Sequence, residues 1–196
     1  MRLLSIRCLL PCLLGLFVSV ASAGPLEEGR QAYEAGDYEQ ARELWEPLAA
    51  KNDPDALFNI GLLYMQGKGV EQDGRTAMDW FKRAAQYGSV DAAYNLGLLY
   101  AEGRGIYPSP KDAIYWWRQA AEVGHAESQY NLGVMLAYGR GTARQVSEAL
   151  TWWEKAARQG NPDAIRALAM TYEQGKFGIA ADPEQAQKWR RLLKDN

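Results

Sequence analysis

Three asparagines that recur every 36 residues carry side chains whose type and spacing suit the binding of a peptide. They are Asn59, Asn95 and Asn131. A carboxamide has both a donor and an acceptor, so a row of carboxamides could pair with the backbone of an extended peptide. Alternatively, each amide bonds a backbone group of the adjacent helix or loop and braces the fold. The spacing by itself leaves both interpretations open.

Groups suited to catalysis or metal binding are few. His125 is the only histidine, and it follows Gly124 with no Cys or second His nearby, which is typical of a turn residue. No nucleophile–base pair and no acid–base couple of carboxylates can be recognised. The serines after residue 23 are Ser89, Ser109, Ser128 and Ser147. We therefore predict that the protein is not an enzyme and has no catalytic residue, no metal ligand and no cofactor.

The asparagines belong to a longer repeat with the same period. Each unit has an acidic residue before a small one, a glycine, a Gly-x-Gly loop, a tryptophan followed by another aromatic residue, and two alanines. The acidic residues are Asp55, Asp91, Glu127 and Asp163, and the glycines are Gly61, Gly97 and Gly133. We predict three full units, 55–90, 91–126 and 127–162, between partial units at 24–54 and 163–196.

The sequence pattern predicts two helices in each unit. The first, such as 91–102, is too apolar for an exposed helix, and it stops where the glycines of the loop can take the left-handed conformation. The second begins at a polar N-cap residue, although Gln145 is a weak start signal in its unit. The other N-cap residues are Asp73, Ser109 and Asp182.

Glycines and aromatic residues predict how these helices pack. The glycine inside each first helix costs helix stability, and its recurrence therefore predicts a close helix crossing. The tryptophans predict a core that faces these small residues, and they are Trp80, Trp116 and Trp152. In the upstream unit, Pro47 predicts a kink or an end of the second helix.

These residues resemble the Sel1-like repeat family, a relative of the tetratricopeptide repeats. The matching segments include Asp91-Ala92, Asn95-Leu96-Gly97-Leu98-Leu99-Tyr100, Gly103-Arg104-Gly105 and Ala113-Ile114-Tyr115-Trp116. The resemblance covers almost all of 26–194, and the upstream unit looks more like a tetratricopeptide unit. It implies an all-α fold, namely a right-handed α-solenoid of antiparallel helix pairs whose first helices line a concave surface.

Alignment with the tetratricopeptide pattern predicts which positions face this concave surface. One row is Phe58, Tyr94, Tyr130 and Arg166; a second is Leu62, Leu98, Val134 and Met170; a rim row is Gln66, Glu102, Tyr138 and Gln174. Exposed aromatic and aliphatic rows would anchor a peptide, and the alternative is that they pack against neighbouring helices. For the asparagine row the resemblance favours bracing, because the family motif itself contains this Asn.

The first 23 residues predict a cleaved signal peptide. Arg2 and Arg7 precede an apolar run at 9–20, and Ala21-Ser22-Ala23 has the form of a signal peptidase site. The run is shorter than the roughly 20 residues that span a bilayer, so no membrane anchor is expected after cleavage. Cleavage would also remove the only cysteines, Cys8 and Cys12. We expect a periplasmic protein, with secretion beyond the envelope as an alternative.

Charge and family together define the predicted function. Residues 1–23 hold two Arg and no acid, so their removal changes the net charge from −2 to −4, which disfavours nucleic acid as a partner. Members of the resembled family are usually adaptors, often in bacterial envelopes or at host contacts. We predict a monomeric scaffold that binds a protein or peptide. Two alternatives stay open: a hydrolase of β-lactam or cell wall, although the paired cysteines of such relatives are absent, and a secreted effector that binds host proteins.

Overall fold

The computed structural model describes residues 24–104 and 106–193, so the predicted signal peptide lies outside the described residues. Within these ranges the chain forms ten α-helices and one 3₁₀ turn, and no strand. The α-helices are α1 Pro25–Ala35, α2 Tyr38–Ala49, α3 Pro54–Gln66, α4 Gly74–Gln86, α5 Val90–Glu102, α6 Pro110–Glu122, α7 Ala126–Tyr138, α8 Val146–Arg158, α9 Pro162–Gln174 and α10 Pro183–Leu192. The 3₁₀ turn, Lys176–Gly178, lies between α9 and α10.

The helices pack in the order of the sequence. Each odd-numbered helix pairs with the next even-numbered one, and each even-numbered helix also contacts the first helix of the following pair. This arrangement is the predicted α-solenoid of antiparallel helix pairs. One core cluster runs from α1 to α5 and a second from α6 to α10, so the buried apolar surface extends along the whole array.

Three of the predicted N-cap residues of the second helices are confirmed by side-chain hydrogen bonds. The Asp73 carboxylate accepts the backbone N–H of Arg75, and the Ser109 and Asp182 side chains accept the N–H three residues further on. Gln145 makes no such bond. Each cap satisfies an N–H group that has no partner within its own helix.

The tryptophan row is only partly the core that was predicted. Trp152 is buried, but Trp80 and Trp116 are half-buried. The aromatic residue that follows the tryptophan is buried in all three units. These second aromatics are Phe81, Trp117 and Trp153. The predicted pairing of a large ring with a small glycine is therefore correct, but the ring is that of the following residue.

The glycines inside α3, α5 and α7 allow this pairing. A β-carbon at Gly97 or Gly133 would lie less than 3.0 Å from the indole of Trp117 or Trp153. The same relation holds between Gly29 and Trp45 in the first pair. The first helix can therefore approach its partner closely enough for the aromatic ring to pack directly against its backbone.

The prediction for Pro47 is wrong about the end of the helix, because α2 continues through Pro47 to Ala49. A proline in the last turn removes a single backbone donor, and the helix ends two residues later in any case.

Candidate functional site

The predicted concave rows lie at equivalent positions of the first helices, α3, α5, α7 and α9. Most of their side chains are half-buried and also contact the core. They are Phe58, Leu62, Tyr94, Leu98, Tyr130 and Val134. The first two rows become exposed in α9, where Met170 is 40% exposed and Arg166 is also exposed. The rim row is exposed in every unit, and its Tyr138 is 56% exposed.

A cleft of about 400 Å³ lies between α7 and α9, and we call it the C-terminal cleft. Such a volume is sufficient for one or two side chains of a bound peptide. Five residues of the predicted rows line it: Tyr130, Val134, Tyr138, Arg166 and Met170. Sequence reasoning missed the lining residues that come from loops: Arg140, Lys176 and Phe177.

A periodic signal for these missed residues exists in the sequence. Lys176 and Arg140 follow the glycine that ends a first helix, as Lys68 and Arg104 do in the earlier units. A basic residue therefore recurs every 36 residues beside the concave rows. Phe177 stands where the earlier units have the second glycine of the Gly-x-Gly loop.

The charge of the C-terminal cleft is positive, although the whole chain has a net charge of −2. Its lining contains three cations, Arg140, Arg166 and Lys176, and one carboxylate, that of Asp163. Arg166 pairs with Asp163 across 2.6 Å in an exposed ion pair, which is worth little in water. In the described residues neither Arg140 nor Lys176 has a carboxylate within 4.0 Å: Arg140 lies 5.4 Å from the Tyr138 ring centroid, and the Lys176 Nζ lies 2.9 Å from a methionine sulfur.

The Tyr130 hydroxyl adds a neutral donor to the C-terminal cleft. Burial and then the Asp163 carboxylate raise the pKa of Tyr130, while Arg166 opposes them, and the phenol therefore stays protonated at neutral pH. Within the described ranges no side chain or backbone group forms a hydrogen bond with this hydroxyl. It can thus donate to a carbonyl or carboxylate of a bound molecule.

Aromatic residues form one wall of the C-terminal cleft. The ring of Phe177 meets that of Tyr138 edge-on at a centroid distance of 5.1 Å, and it lies 6.0 Å from the ring of Trp153. The guanidinium of Arg144 lies 5.2 Å from the centroid of the Phe177 ring. The wall is therefore an ordered aromatic cluster with a cation beside it.

The same rows have a different environment between α5 and α7, in a region that we call the middle groove. There the ring of Tyr94 lies 4.8 Å from that of His125. Burial, then the carboxylates of Glu127 and Glu102, raise the pKa of Tyr94. Arg104, the basic residue of this unit, is already paired with Glu102. Two carboxylates therefore lie near this tyrosine, and Arg104 neutralises one of them.

The asparagine row does not brace neighbouring elements in the way that was expected. The Asn95 amide donates to the carbonyl of Asp91 at 2.8 Å, a bond within its own helix. For Asn59 and Asn131 the described part of the chain offers no side-chain hydrogen bond. The peptide-pairing hypothesis for this row stays a prediction.

His125 is a turn residue, as predicted, and it also caps a helix. Its Nδ1 accepts the backbone N–H of Ser128 at 3.2 Å at the start of α7. Among residues 24–104 and 106–193, no cluster of three His, Cys, Asp or Glu side chains could hold a metal ion. In the same ranges no helix is both long and apolar enough to cross a membrane.

Comparisons with known proteins agree with this architecture. The Sel1 repeat model matches five consecutive segments, residues 24–53, 54–89, 90–125, 126–161 and 162–190. A solved Sel1 repeat protein from Oxalobacter formigenes shares 35% sequence identity at a TM-score of 0.78, covering 88% of this chain and 68% of that one. No curated protein matches the chain.

Two more distant structures share the fold alone. MamA has 19% identity and a TM-score of 0.57, with 85% of this chain and 92% of that chain covered. Helicobacter pylori cysteine rich protein B has 19% identity and a TM-score of 0.50, with 72% and 96% covered.

Proposed function

Because the chain belongs to the Sel1 repeat family, whose members are protein-interaction scaffolds, we propose that it is an adaptor that binds a protein partner on its concave face. This face is formed by α3, α5, α7 and α9. The observation that carries the proposal is the C-terminal cleft, where Tyr130, Val134, Tyr138 and Arg166 of the predicted rows come together around an open space. The half-buried ring of Tyr130 and the exposed ring of Tyr138 provide apolar contact area of the kind found at the energetic centre of an interface.

The adaptor acts in the bacterial envelope after export, according to the same proposal. It is supported by the sequence pattern of the first 23 residues. N-terminal sequencing of the protein purified from its own cell, together with cell fractionation, tests this part. We expect a chain that starts at Gly24 in the periplasmic fraction, and a chain that retains Met1 in the cytoplasm would contradict it.

Site-specific photo-crosslinking in the native cell tests the concave face. A photoreactive phenylalanine analogue replaces Tyr138 in one strain and Tyr115 in another. These tyrosines are 56% and 55% exposed and lie on a first and a second helix respectively, so Tyr115 is a matched control. We expect a discrete adduct from position 138 only. Adducts of equal yield from both positions would contradict binding on the concave face.

A double variant provides an independent test. Tyr94→Ala with Tyr130→Ala removes the two central rings of the concave rows, and we expect the partner to be lost from co-purification. Retention of every partner would show that this face does not bind it. Circular dichroism of the purified variant controls for folding.

The alternatives predicted from the sequence are separated by simple assays. The proposal expects no turnover of a reporter β-lactam or of peptidoglycan by the purified chain, and turnover would replace it with a hydrolase. It also expects retention in the envelope, and accumulation in the culture medium would favour a secreted effector.

A further inference from the structure

The loop after α9 departs from the other repeats at a strained position. Gly69 and Gly141 have φ values of 66° and 77°, and the equivalent residue of the last unit, Phe177, has a φ of 58°. Glycine adopts this left-handed conformation freely, whereas a residue with a β-carbon does so at an energetic cost. The last unit therefore keeps the backbone conformation and has a phenylalanine, a large apolar residue, in place of the glycine.

The residue in this strained conformation, Phe177, contributes its aromatic ring to the C-terminal cleft. The Phe177 ring packs on Tyr138 and Trp153 and closes one side of the space. Non-glycine residues in strained conformations concentrate at binding sites, where the surrounding structure holds them. Phe177 is only half-buried, so part of its ring stays available to a ligand.

The second observation is charge. Arg140 and Lys176 line the same space without carboxylate partners in the described residues, and Arg166 has only an exposed ion pair. This cationic rim belongs to a chain with net negative charge. The corresponding cation of the middle groove, Arg104, is paired with Glu102. Unpaired cations around an apolar space favour a ligand that is itself apolar with carboxylates on its flanks.

We propose that the C-terminal cleft binds an acidic segment of the protein partner, with one large apolar side chain inserted between Tyr138, Met170 and Phe177. Carboxylates next to that side chain contact Arg140, Arg166 and Lys176. The inference rests on the proposed function, because it names the chemistry of the partner for the same concave face.

A selection from random dodecapeptides displayed on phage tests this chemistry without knowledge of the partner. The purified chain without its predicted signal is the bait, and fluorescein-labelled copies of the enriched peptides are measured by fluorescence anisotropy. We expect enriched peptides to carry Asp or Glu next to Phe, Leu, Trp or Tyr. Enrichment of neutral or basic peptides, or no enrichment at all, would overturn the proposal.

Charge reversal locates the site. The double variant Arg140→Glu with Arg166→Glu should lower the affinity for the enriched peptides by about tenfold or more, because each lost ion pair contributes to affinity. Arg75→Glu with Lys111→Glu is the matched control, since it changes the net charge equally at two exposed positions of α4 and α6. An equal loss of peptide affinity in both double variants would mean that only the overall charge matters, and it would overturn the proposal that the peptides bind in the C-terminal cleft.

Phe177→Gly tests the aromatic wall separately. Glycine accepts the φ of 58°, so this variant keeps the backbone and removes the ring. We expect about a tenfold loss of peptide affinity with an unchanged circular dichroism spectrum. Unchanged affinity would show that Phe177 is not part of the site.

The failure of this inference can be distinguished from the failure of the proposed function. If Tyr94→Ala weakens the binding of the enriched peptides and Arg140→Glu with Arg166→Glu does not, the peptides bind in the middle groove. That result would overturn the C-terminal cleft and leave the adaptor on its concave face. A dimer in light scattering that Arg140→Glu with Arg166→Glu dissociates would make a second copy of the chain the occupant, and it would overturn the acidic partner segment. The crosslinking at Tyr138 tests the proposed function without reference to any peptide.

Discussion

The middle groove and the C-terminal cleft have the same helix geometry but different sets of charged residues. Burial raises the pKa of both tyrosines. At Tyr94 in the middle groove the Glu127 and Glu102 carboxylates raise it further, whereas at the equivalent Tyr130 the Asp163 carboxylate raises it and Arg166 lowers it. The comparison separates two roles within one repeat. Residues that recur from unit to unit fix how the two helices of a pair cross, and residues that vary between units determine what each space between the first helices can bind.

The recurrent residues are the glycine of the first helix and the second aromatic residue of the second helix. They make the helix crossing the same in the first four pairs, as Gly97 with Trp117 and Gly133 with Trp153 illustrate. The variable residues include the position occupied by Phe58, Tyr94, Tyr130 and then Arg166. A change at a recurrent position should therefore affect both regions equally, and a change at a variable position should affect only one.

The largest effect is expected at the recurrent glycines. Gly97→Val and Gly133→Val should each lower the free energy of unfolding by about 3 kcal/mol, because the added atoms overlap a buried indole that cannot move aside. Urea denaturation followed by circular dichroism measures it. The matched control is Gly24→Val, since no atom lies within 4 Å of a β-carbon there, and a change below about 0.5 kcal/mol is expected. Tolerance of valine at either helical glycine would refute the shared crossing.

The loops should respond asymmetrically to reciprocal exchanges. Gly141→Phe should cost about 2–3 kcal/mol, because its β-carbon would lie 2.7 Å from the carbonyl carbon of Pro110 at a φ of 77°. Phe177→Gly should change stability by less than about 1 kcal/mol, since relief of backbone strain offsets the lost ring contacts. Urea denaturation of both variants checks the difference. A cost of about 3 kcal/mol or more for Phe177→Gly would identify the ring as core.

A smaller effect is expected at the helix cap of the middle groove. His125→Ala should cost about 1–2 kcal/mol, because it removes both the acceptor for the Ser128 N–H and the ring beside Tyr94. His125→Asn keeps an acceptor and should cost about half as much. Asn161 supports this expectation, since its Oδ1 accepts the Ala164 N–H at 2.9 Å at the equivalent start of α9. Equal costs for the two variants in urea denaturation would mean that the cap contributes nothing.

The period of the sequence predicts the fold well and the C-terminal cleft only in part. Helix pairs follow from the period because it repeats caps, glycines and apolar positions together. Which of two adjacent aromatics is buried does not follow from it, because Trp80 and Phe81 differ by one helical step and the glycine contact fixes the rotation of the helix. The rows on α7 and α9 were predictable for the same reason as the helices.

The loop side of the C-terminal cleft was only partly predictable from the period. Phe177 stands in register with Gly69 and Gly141, so the period alone predicts a glycine at this position. Its ring position depends on a left-handed backbone conformation that a phenylalanine seldom adopts. The cation at 176 was visible as part of a series, but its lack of a carboxylate partner depends on three-dimensional packing.

The smallest effects concern the two equivalent tyrosines, and they should have opposite signs. Arg166 lowers the pKa of Tyr130, so Arg166→Ala should raise it further. Glu127 raises the pKa of Tyr94, so Glu127→Gln should bring it closer to its ordinary value of 10.0. NMR titration of ζ-¹³C-labelled tyrosine measures both. Shifts in the same direction would contradict the effects assigned to Arg166 and Glu127.

Stability at alkaline pH follows from the same pKa changes. A tyrosine whose folded-state pKa lies above its unfolded value stabilises the fold fully below the unfolded pKa, near 10.0 for Tyr94, and this contribution is lost as the pH rises through the folded pKa. Tyr94→Phe removes a group that ionises, and the variant should lose less stability above that pH than the parent chain. Urea denaturation across this pH range tests it: parallel losses in both proteins would mean that Tyr94 ionises as easily in the folded chain as in the unfolded one, despite the carboxylates of the middle groove.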